Sequence, residues 1–437
     1  MNPQASAPGL ANGDCQQLIG LAPLARMAYD GADLGPLKER LLDRLARNEN
    51  DAYALMDLST VLQLMGQRQI GLSMQALALG LRQLYRLRCS ADSAGIRLLA
   101  ILCPGDLSEN HALEFLVEGS DIALDMLYVA PDIPFPATLP DHDLAMVAVC
   151  ENDRNRPLLE HIETLVKSWP RPVLCAPDRI ARLTRDGACA LLQAVPGIVV
   201  PRTTRIDRRT LERIGRAETA VTAFVEDGAF PIIVRPVDSQ QGRGLMKLDN
   251  RAAIAGYLKT RPENAFYVAR YVENRGPDGQ YRKYRIVLID GRPYASHMAI
   301  SDHWVVHYMS ADMQGSVAKR AEEARFFAAF DDDFARRHHD ALLSVARRLE
   351  LEYVGIDCGE TPDGELLIFE VDSGMTVHAL DPVDIFPYKR PQMRKVFRAF
   401  RQMLMDASIQ RGACNGAHHT ATAFSAPAGP APAPETQ

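Results

Sequence analysis

Residues 353–357 and 366–372 are two short apolar runs rich in β-forming side chains, joined by the turn formers Thr361, Pro362, Asp363 and Gly364. A pair of this kind folds as a hairpin, with side chains alternating between its two faces. Glu370 and Asp372 are two residues apart and share a face. A two-residue turn at Asp363 and Gly364 puts Asp357 on that face as well. So does a four-residue turn from Thr361 to Gly364, with Pro362 preset for type I. A three-residue loop sends Asp357 to the other side. Like charges facing one another across strands are destabilising unless a positive charge lies between them. Neither run contains a lysine, so the three carboxylates fit a hard divalent cation, Mg²⁺ first and Mn²⁺ as its substitute. The competing reading is a solvated acidic edge.

A chain of 437 residues is too long for one core and predicts two to four domains. Its 47% hydrophobic and 24% charged residues describe an ordinary globular protein. A net charge of −6 argues against nucleic acid as a partner, because no excess positive field gathers phosphates. The eight cysteines form no CxxC pair and have no His at metal-binding spacing, which suggests a reducing compartment. The first residues lack a basic segment followed by an apolar one, and no apolar run is long enough to span a bilayer. The expectation is a cytoplasmic protein with no membrane partner.

Residues 1–16 and 409–437 are rich in Pro, Ala, Gly and polar residues and are expected to be disordered. Residues 17–90 read as helical. Apolar side chains at helical spacing over 52–64 and from about 69 to 86, broken at Gly66, resemble one tetratricopeptide-type hairpin. This layer is expected to pack on the next domain or to offer a surface to a peptide or carrier protein. Residues 91–200 alternate apolar strands and helices, which means βαβ units and a small parallel sheet. The loop after its first strand, at Pro104-Gly105-Asp106, lies at a carboxyl edge, where open α/β sheets bind ligands. Residues 201–408 form an α+β region with a strand ending at Arg235. A loop bearing Gly242 and Gly244 follows, then a strand near 265–273 and a hairpin turning at Asp290-Gly291 with Arg285 on its first arm. Glycines in such a loop let backbone approach phosphate closely.

In this order the elements resemble the ATP-grasp superfamily of carboxylate–amine ligases, the fold of glutathione synthetase, D-alanine–D-alanine ligase and the ribosomal-protein glutamate ligases. The resemblance spans roughly residues 97–405. It implies a two-lobed clamp, with a nucleotide lobe at about 201–272 and a metal and substrate lobe at about 273–408. ATP and Mg²⁺ are the implied cofactors. By this resemblance Arg235 and Arg185 contact phosphate and adenine, and Gly242 and Gly244 cover the phosphates. An edge strand at Arg270, Tyr271 and Val272, with Glu273 close by, meets adenine, and Arg285 reaches phosphate and substrate. Asp357 and Glu370 are the implied metal acids, with Asp372 standing where the family usually has Asn. Arg185 and Arg235 stand where the family commonly has Lys; Arg keeps the charge and can grip phosphate bidentately.

His297, His303 and His307 lie beside Trp304 and Tyr308, which suits a ligand pocket, and residues 305–313 are expected to close over it. The Val305-Val306 pair suits a strand. Ser373, Gly374 and His378 in the turn after Asp372 are candidates for holding the acceptor, His378 as a catalytic group with Arg285, and Lys389 is more remote. The implied reaction joins a small-molecule or peptide carboxylate to an amine through an acyl phosphate. Competing readings are a kinase that stops at phosphorylation and a non-catalytic nucleotide-binding scaffold.

Overall fold

A computed structural model describes residues 17–87, 89–91, 93–225, 230–239 and 242–412. Of the stretches expected to be disordered, 1–16 and 413–437 lie outside the described residues, whereas 409–412 are helical. The first four helices are α1 (Leu21–Tyr29), α2 (Gly35–Arg47), α3 (Ala52–Leu64) and α4 (Arg68–Leu81). Helices α3 and α4 form the expected hairpin, with Asp51 capping α3 by accepting from Ala54 N at 2.9 Å. The second helix stops at Leu81 rather than near Arg86. The chain turns there into β1 (Leu84–Leu87), whose Tyr85 is fully buried.

This strand joins a five-stranded sheet with β2 (Ile96–Leu102), β3 (Ile122–Tyr128), β4 (Leu144–Val147) and β5 (Val173–Leu174), in the order β1-β3-β2-β4-β5. Helices α5 (Glu114–Val117) and α6 (Arg156–Val166) lie between its strands in sequence. The β2 to β5 part is parallel, as the continuous apolar runs of β2, β3 and β4 imply, and β1 is an antiparallel edge.

Two short helices follow: α7 (Pro177–Ile180) and α8 (Arg185–Leu192). Thr184 caps the second by accepting from Gly187 N at 3.0 Å. After β6 (Ile198–Val199) comes the first lobe, made of β7 (Thr204–Asp207), α9 (Arg208–Gly215), β8 (Ile232–Pro236), β9 (Met246–Leu248), α10 (Arg251–Lys259) and β10 (Ala265–Arg270). Its antiparallel sheet runs β7-β10-β8-β9 over its own small core of Ile206, Leu211, Val234, Ile254 and Phe266. Strand β10 is therefore interior, paired with both β7 and β8, and not the edge that the family resemblance implied.

The second lobe holds β11 (Tyr281–Ile289), β12 (Arg292–Ser301), α11 (Val317–Ala329), α12 (Phe334–Arg337), α13 (His339–Leu349), β13 (Tyr353–Glu360), β14 (Leu366–Asp372) and α14 (Lys389–Gly412). Its sheet order is β12-β11-β13-β14-β6. One face of this sheet packs aromatic helices: Tyr284 lies 5.0 Å from Phe326 and 4.9 Å from Phe334, ring centre to ring centre. Cys358 is buried on this side, with its thiol toward Tyr284 O. The opposite face carries Lys283, Arg285, Asp357 and Glu370.

Helix α1 joins the helical layer to the rest. Its N-terminal amides are shared by two carboxylates from different elements. Asp57 of α3 accepts from Ile19 N and Gly20 N, and Glu114 of α5 accepts from Leu21 N and Ala22 N. Its other end reaches the turn after β14, where Tyr29 donates to Asp381 Oδ1 at 3.1 Å and Arg26 to Ala379 O at 3.2 Å.

Candidate active site

The loop between β13 and β14 is odd, contrary to the two- or four-residue turn read from its sequence. Thr361 N donates to Glu365 O at 3.0 Å, leaving Pro362, Asp363 and Gly364 as the turn, with Gly364 at φ +81°. That loop alone would place Asp357 opposite Phe369 and turn it away from Glu370. A register shift beside Asp357 corrects this. Cys358 pairs with Ile368, Phe369 is passed over, and Asp357 pairs with Glu370. The three acids therefore share a face as expected, through a bulge and not through the turn.

The same register continues across the sheet. His297 of β12 pairs with Arg285 of β11, Arg285 with Asp357 of β13, and Asp357 with Glu370 of β14. Four chemically active side chains thus cross four strands in one row, and Asp372 stands one step along the same face. Lys283, two residues before Arg285, shares the face too and was missed in the sequence. Strand alternation on β11 was the signal that could have found it.

Asp357 is buried and fully engaged by cations. Arg285 grips it bidentately, Nε to Oδ1 at 2.7 Å and Nη2 to Oδ2 at 3.0 Å, and Lys283 Nζ reaches Oδ2 at 2.8 Å. Burial alone would raise its pKa, but Arg285 and Lys283 together hold it far below the usual carboxylate range. Arg285 also donates to Thr376 O at 3.2 Å, tying the row to the turn after β14. Glu370 binds Arg185 at 2.5 Å. Asp372 accepts from Gly374 N at 2.7 Å, and burial, with Glu370 close by, raises its pKa to about 6.

The premise that the acids lack a neighbouring lysine is therefore overturned for Asp357. No group of three or more His, Cys, Asp and Glu side chains among the described residues is arranged to hold a metal ion. Glu370 and Asp372 remain a chemically suitable pair, since Mg²⁺ is commonly held by one or two carboxylates plus phosphate oxygens and water. The upward displacement of Asp372 marks a place where added positive charge would be favourable.

Arg185 and Arg235 do converge. Burial lowers the Arg235 pKa to about 10, the nearby charge of Arg185 adds to this, and Glu370 opposes it. Arg235 is held by its own loop, donating to the hydroxyl and carbonyl of Ser239. Gly242, at φ +69°, packs so closely on His307 that a Cβ there would lie 2.5 Å from Nε2. Gly244 packs on Pro236. Trp304 meets Tyr271 edge-on at 5.9 Å. Residues 304–307 thus touch the first lobe at two places, through Trp304 and His307. They are irregular rather than a strand and lead into a 3-10 turn at Tyr308–Ser310.

His297 is half-buried in the row, its Nε2 buried and without a hydrogen-bond partner among the described residues. Burial and the neighbouring charge of Arg285 keep it neutral. His307 is displaced downward by burial and by Lys283. His303 is different: it is exposed and beside Trp304, so the structure does not bring it into the site. Arg270 ends β10. Tyr271 donates its amide to Pro231 O and its hydroxyl to Glu273, with Lys247 4.0 Å above its ring. Val272 and Glu273 follow in irregular chain, and Glu273 accepts from Asn274 N and Arg275 N.

In the turn after β14, Ser373 is buried and Gly374 lies against the parallel-sheet domain; a Cβ on Gly374 would be 2.1 Å from Cys150 Sγ. His378 packs between Tyr29 and Phe115 and accepts from Leu380 N, so its ring is turned toward the helical layer. Lys389 is not remote. It is buried against Asp381 and Glu323 at 3.2 Å each and bonds the Tyr308 hydroxyl, which ties the closing segment to the turn.

No protein-family model matches the chain, and no curated protein matches it. It is similar to the solved structure of D-alanine–D-alanine ligase from Bacillus anthracis complexed with ATP, at 14% identity and a TM-score of 0.41, over 74% of this chain and 100% of that one. It is similar to the VanG D-Ala:D-Ser ligase from Enterococcus faecalis at 14% identity and a TM-score of 0.44, over 72% of this chain and 99% of that one. A RimK domain ATP-grasp protein from Sphaerobacter thermophilus is similar at 16% identity and a TM-score of 0.41, over 71% of this chain and 99% of that one. No helix among the described residues is long and apolar enough to cross a membrane.

Proposed function

We propose that the chain is an ATP-dependent ligase of the ATP-grasp type that joins a carboxylate to an amine through an acyl phosphate. The observation that carries this reading is the row His297, Arg285, Asp357 and Glu370 on one sheet face, with Arg185 and Arg235 brought to its Glu370 end. Phosphoryl transfer needs positioned positive charge more than a side-chain nucleophile. The site is built in that way. Arg185 and Arg235 supply charge for the phosphates, and Arg285 supplies it where the row meets the turn after β14, with Lys283 beside it on Asp357.

A divalent ion held by Glu370 and Asp372 would neutralise phosphate oxygens during transfer. Neutral His297, with an unpaired buried nitrogen, is a polar contact for the substrate carboxylate or amine. Residues 304–307 span the lobes through Gly242 and Tyr271 and would shield an acyl phosphate from water. The test is ADP release with Mg²⁺ against an array of amino acids, dipeptides and small diacids. An acid and amine pair that stimulates release and is consumed supports the reading. ATP that neither binds nor turns over with any of them sinks it.

A further inference from the structure

Asp357 has four lone-pair positions, and three hydrogen bonds from two cationic side chains occupy most of them. Both positions on Oδ2 are taken, one by Arg285 Nη2 and one by Lys283 Nζ. The Lys283 and Asp357 side chains are 15% and 5% exposed, so bulk water screens this contact little. Arg285 comes from the directly paired position on β11, and Lys283 reaches over from two residues before it on the same face. A third cation carrying two charges would have to displace one of these donors or stand beside both. Glu370 and Asp372 differ. Glu370 has one cationic partner, Arg185, and Asp372 accepts from the neutral backbone amide of Gly374, so neither has the double neutralisation that Asp357 enjoys.

From this asymmetry we infer that Lys283 is a built-in cation that takes the place of one divalent ion. The face accepts a single ion, at Glu370 and Asp372, where three free carboxylates would accept two. The inference deepens the ligase reading, which supplies the reason for a divalent ion, but its geometry does not depend on that reading. Lys283 is thus a fixed charge of the site: its ammonium is bound to Asp357 Oδ2, and its charge is felt at His297 and His307. It provides at one acid the fixed charge that a metal ion would otherwise bring.

The test counts ions. Mn²⁺ is titrated into the full chain and followed by electron paramagnetic resonance, first alone and then with a non-hydrolysable ATP analogue. The unaltered protein is expected to hold one Mn²⁺ per chain on this face. Lys283→Met frees a position on Asp357 while Arg285 still pairs it, so folding is retained and the count rises to two. Lys283→Arg keeps the charge and returns the count to one. Two ions on the unaltered protein, or one on Lys283→Met, overturn the inference. Failure of the analogue to bind, with the Mn²⁺ counts as expected, overturns the ligase reading and leaves the role of Lys283 standing.

Discussion

Asp357 and Glu370 face each other across β13 and β14 because Phe369 is passed over in the register between them and the turn. The three-residue turn at Pro362, Asp363 and Gly364 would by itself have put Glu370 on the other face from Asp357. Deleting Phe369 removes the bulge, and the regular pairing set by the turn then runs from Cys358–Ile368 straight to Asp357–Glu370, so the acids stay in register. The deletion variant is expected to stay folded and to keep ADP release. A folded deletion variant without turnover would mean that facing Asp357 with Glu370 is not the working arrangement.

Glu370→Gln removes one charge with little change of shape at a partly exposed side chain. ADP release should fall by roughly a hundredfold or more, about 3 kcal/mol of transition-state stabilisation, while Tm moves by no more than a few degrees. Parallel turnover and melting measurements check both halves.

Much of this site was legible because period-two alternation is exact. Glu370 with Asp372, and Arg285 on the adjoining hairpin, follow from it directly, and so would Lys283 had the same rule been applied to β11. The parity of the turn was not legible, since Thr361 to Gly364 suits loops of two, three or four residues. The bulge at Phe369 depends on pairing partners that lie elsewhere in the chain. Lys389 looked remote because its burial is a long-range fact: Glu323, Asp381 and Tyr308 meet it only after α11, α14 and the turn after β14 pack together. For the same reason the interior place of β10 was hidden, because β7 is a short run with no strand signal of its own.

Arg285→Met should destabilise the fold. It leaves the Asp357 carboxylate buried with Lys283 as its remaining cationic partner, and breaking a buried pair in this way costs about 3–5 kcal/mol. Urea unfolding measures the loss. Asp357→Asn combined with Arg285→Met should recover part of it, and strict additivity of the two single changes would contradict the coupling.

Gly374→Ala places a methyl group 2.1 Å from Cys150 Sγ, so the turn after β14 must move off the parallel-sheet domain. The expected cost is about 1–3 kcal/mol, and Cys150→Ala should relieve it. Equal stability of Gly374→Ala and the unaltered protein would show that this close approach is not needed.

Asp57 and Glu114, which hold the N-terminal end of α1, are each raised to about 7, because burial outweighs the amides they accept from. In the unfolded chain both titrate near 4. The native state therefore holds more protons between those values. Their contribution to stability is full below about pH 4 and is lost as pH rises through about 7. Glu151, at about 7, and Asp372, at about 6, are displaced in the same direction. His111, His142, His297, His307 and His378 are displaced downward by burial and act with the opposite sign over the same range. The check is therefore a difference between variants: the Tm of Asp57→Asn relative to the unaltered protein should rise by several degrees from pH 5 to pH 8, and an unchanged difference would contradict the role given to Asp57.

Hydroxylamine trapping tests the central claim most directly. Hydroxylamine converts an acyl phosphate to a hydroxamate and leaves an ordinary phosphate ester untouched. With ATP, Mg²⁺ and the acid substrate but no amine, the unaltered protein is predicted to yield a hydroxamate in step with ADP, and Glu370→Gln to yield almost none. Phosphate transfer to the substrate without any hydroxamate would contradict the ligase account and identify a kinase.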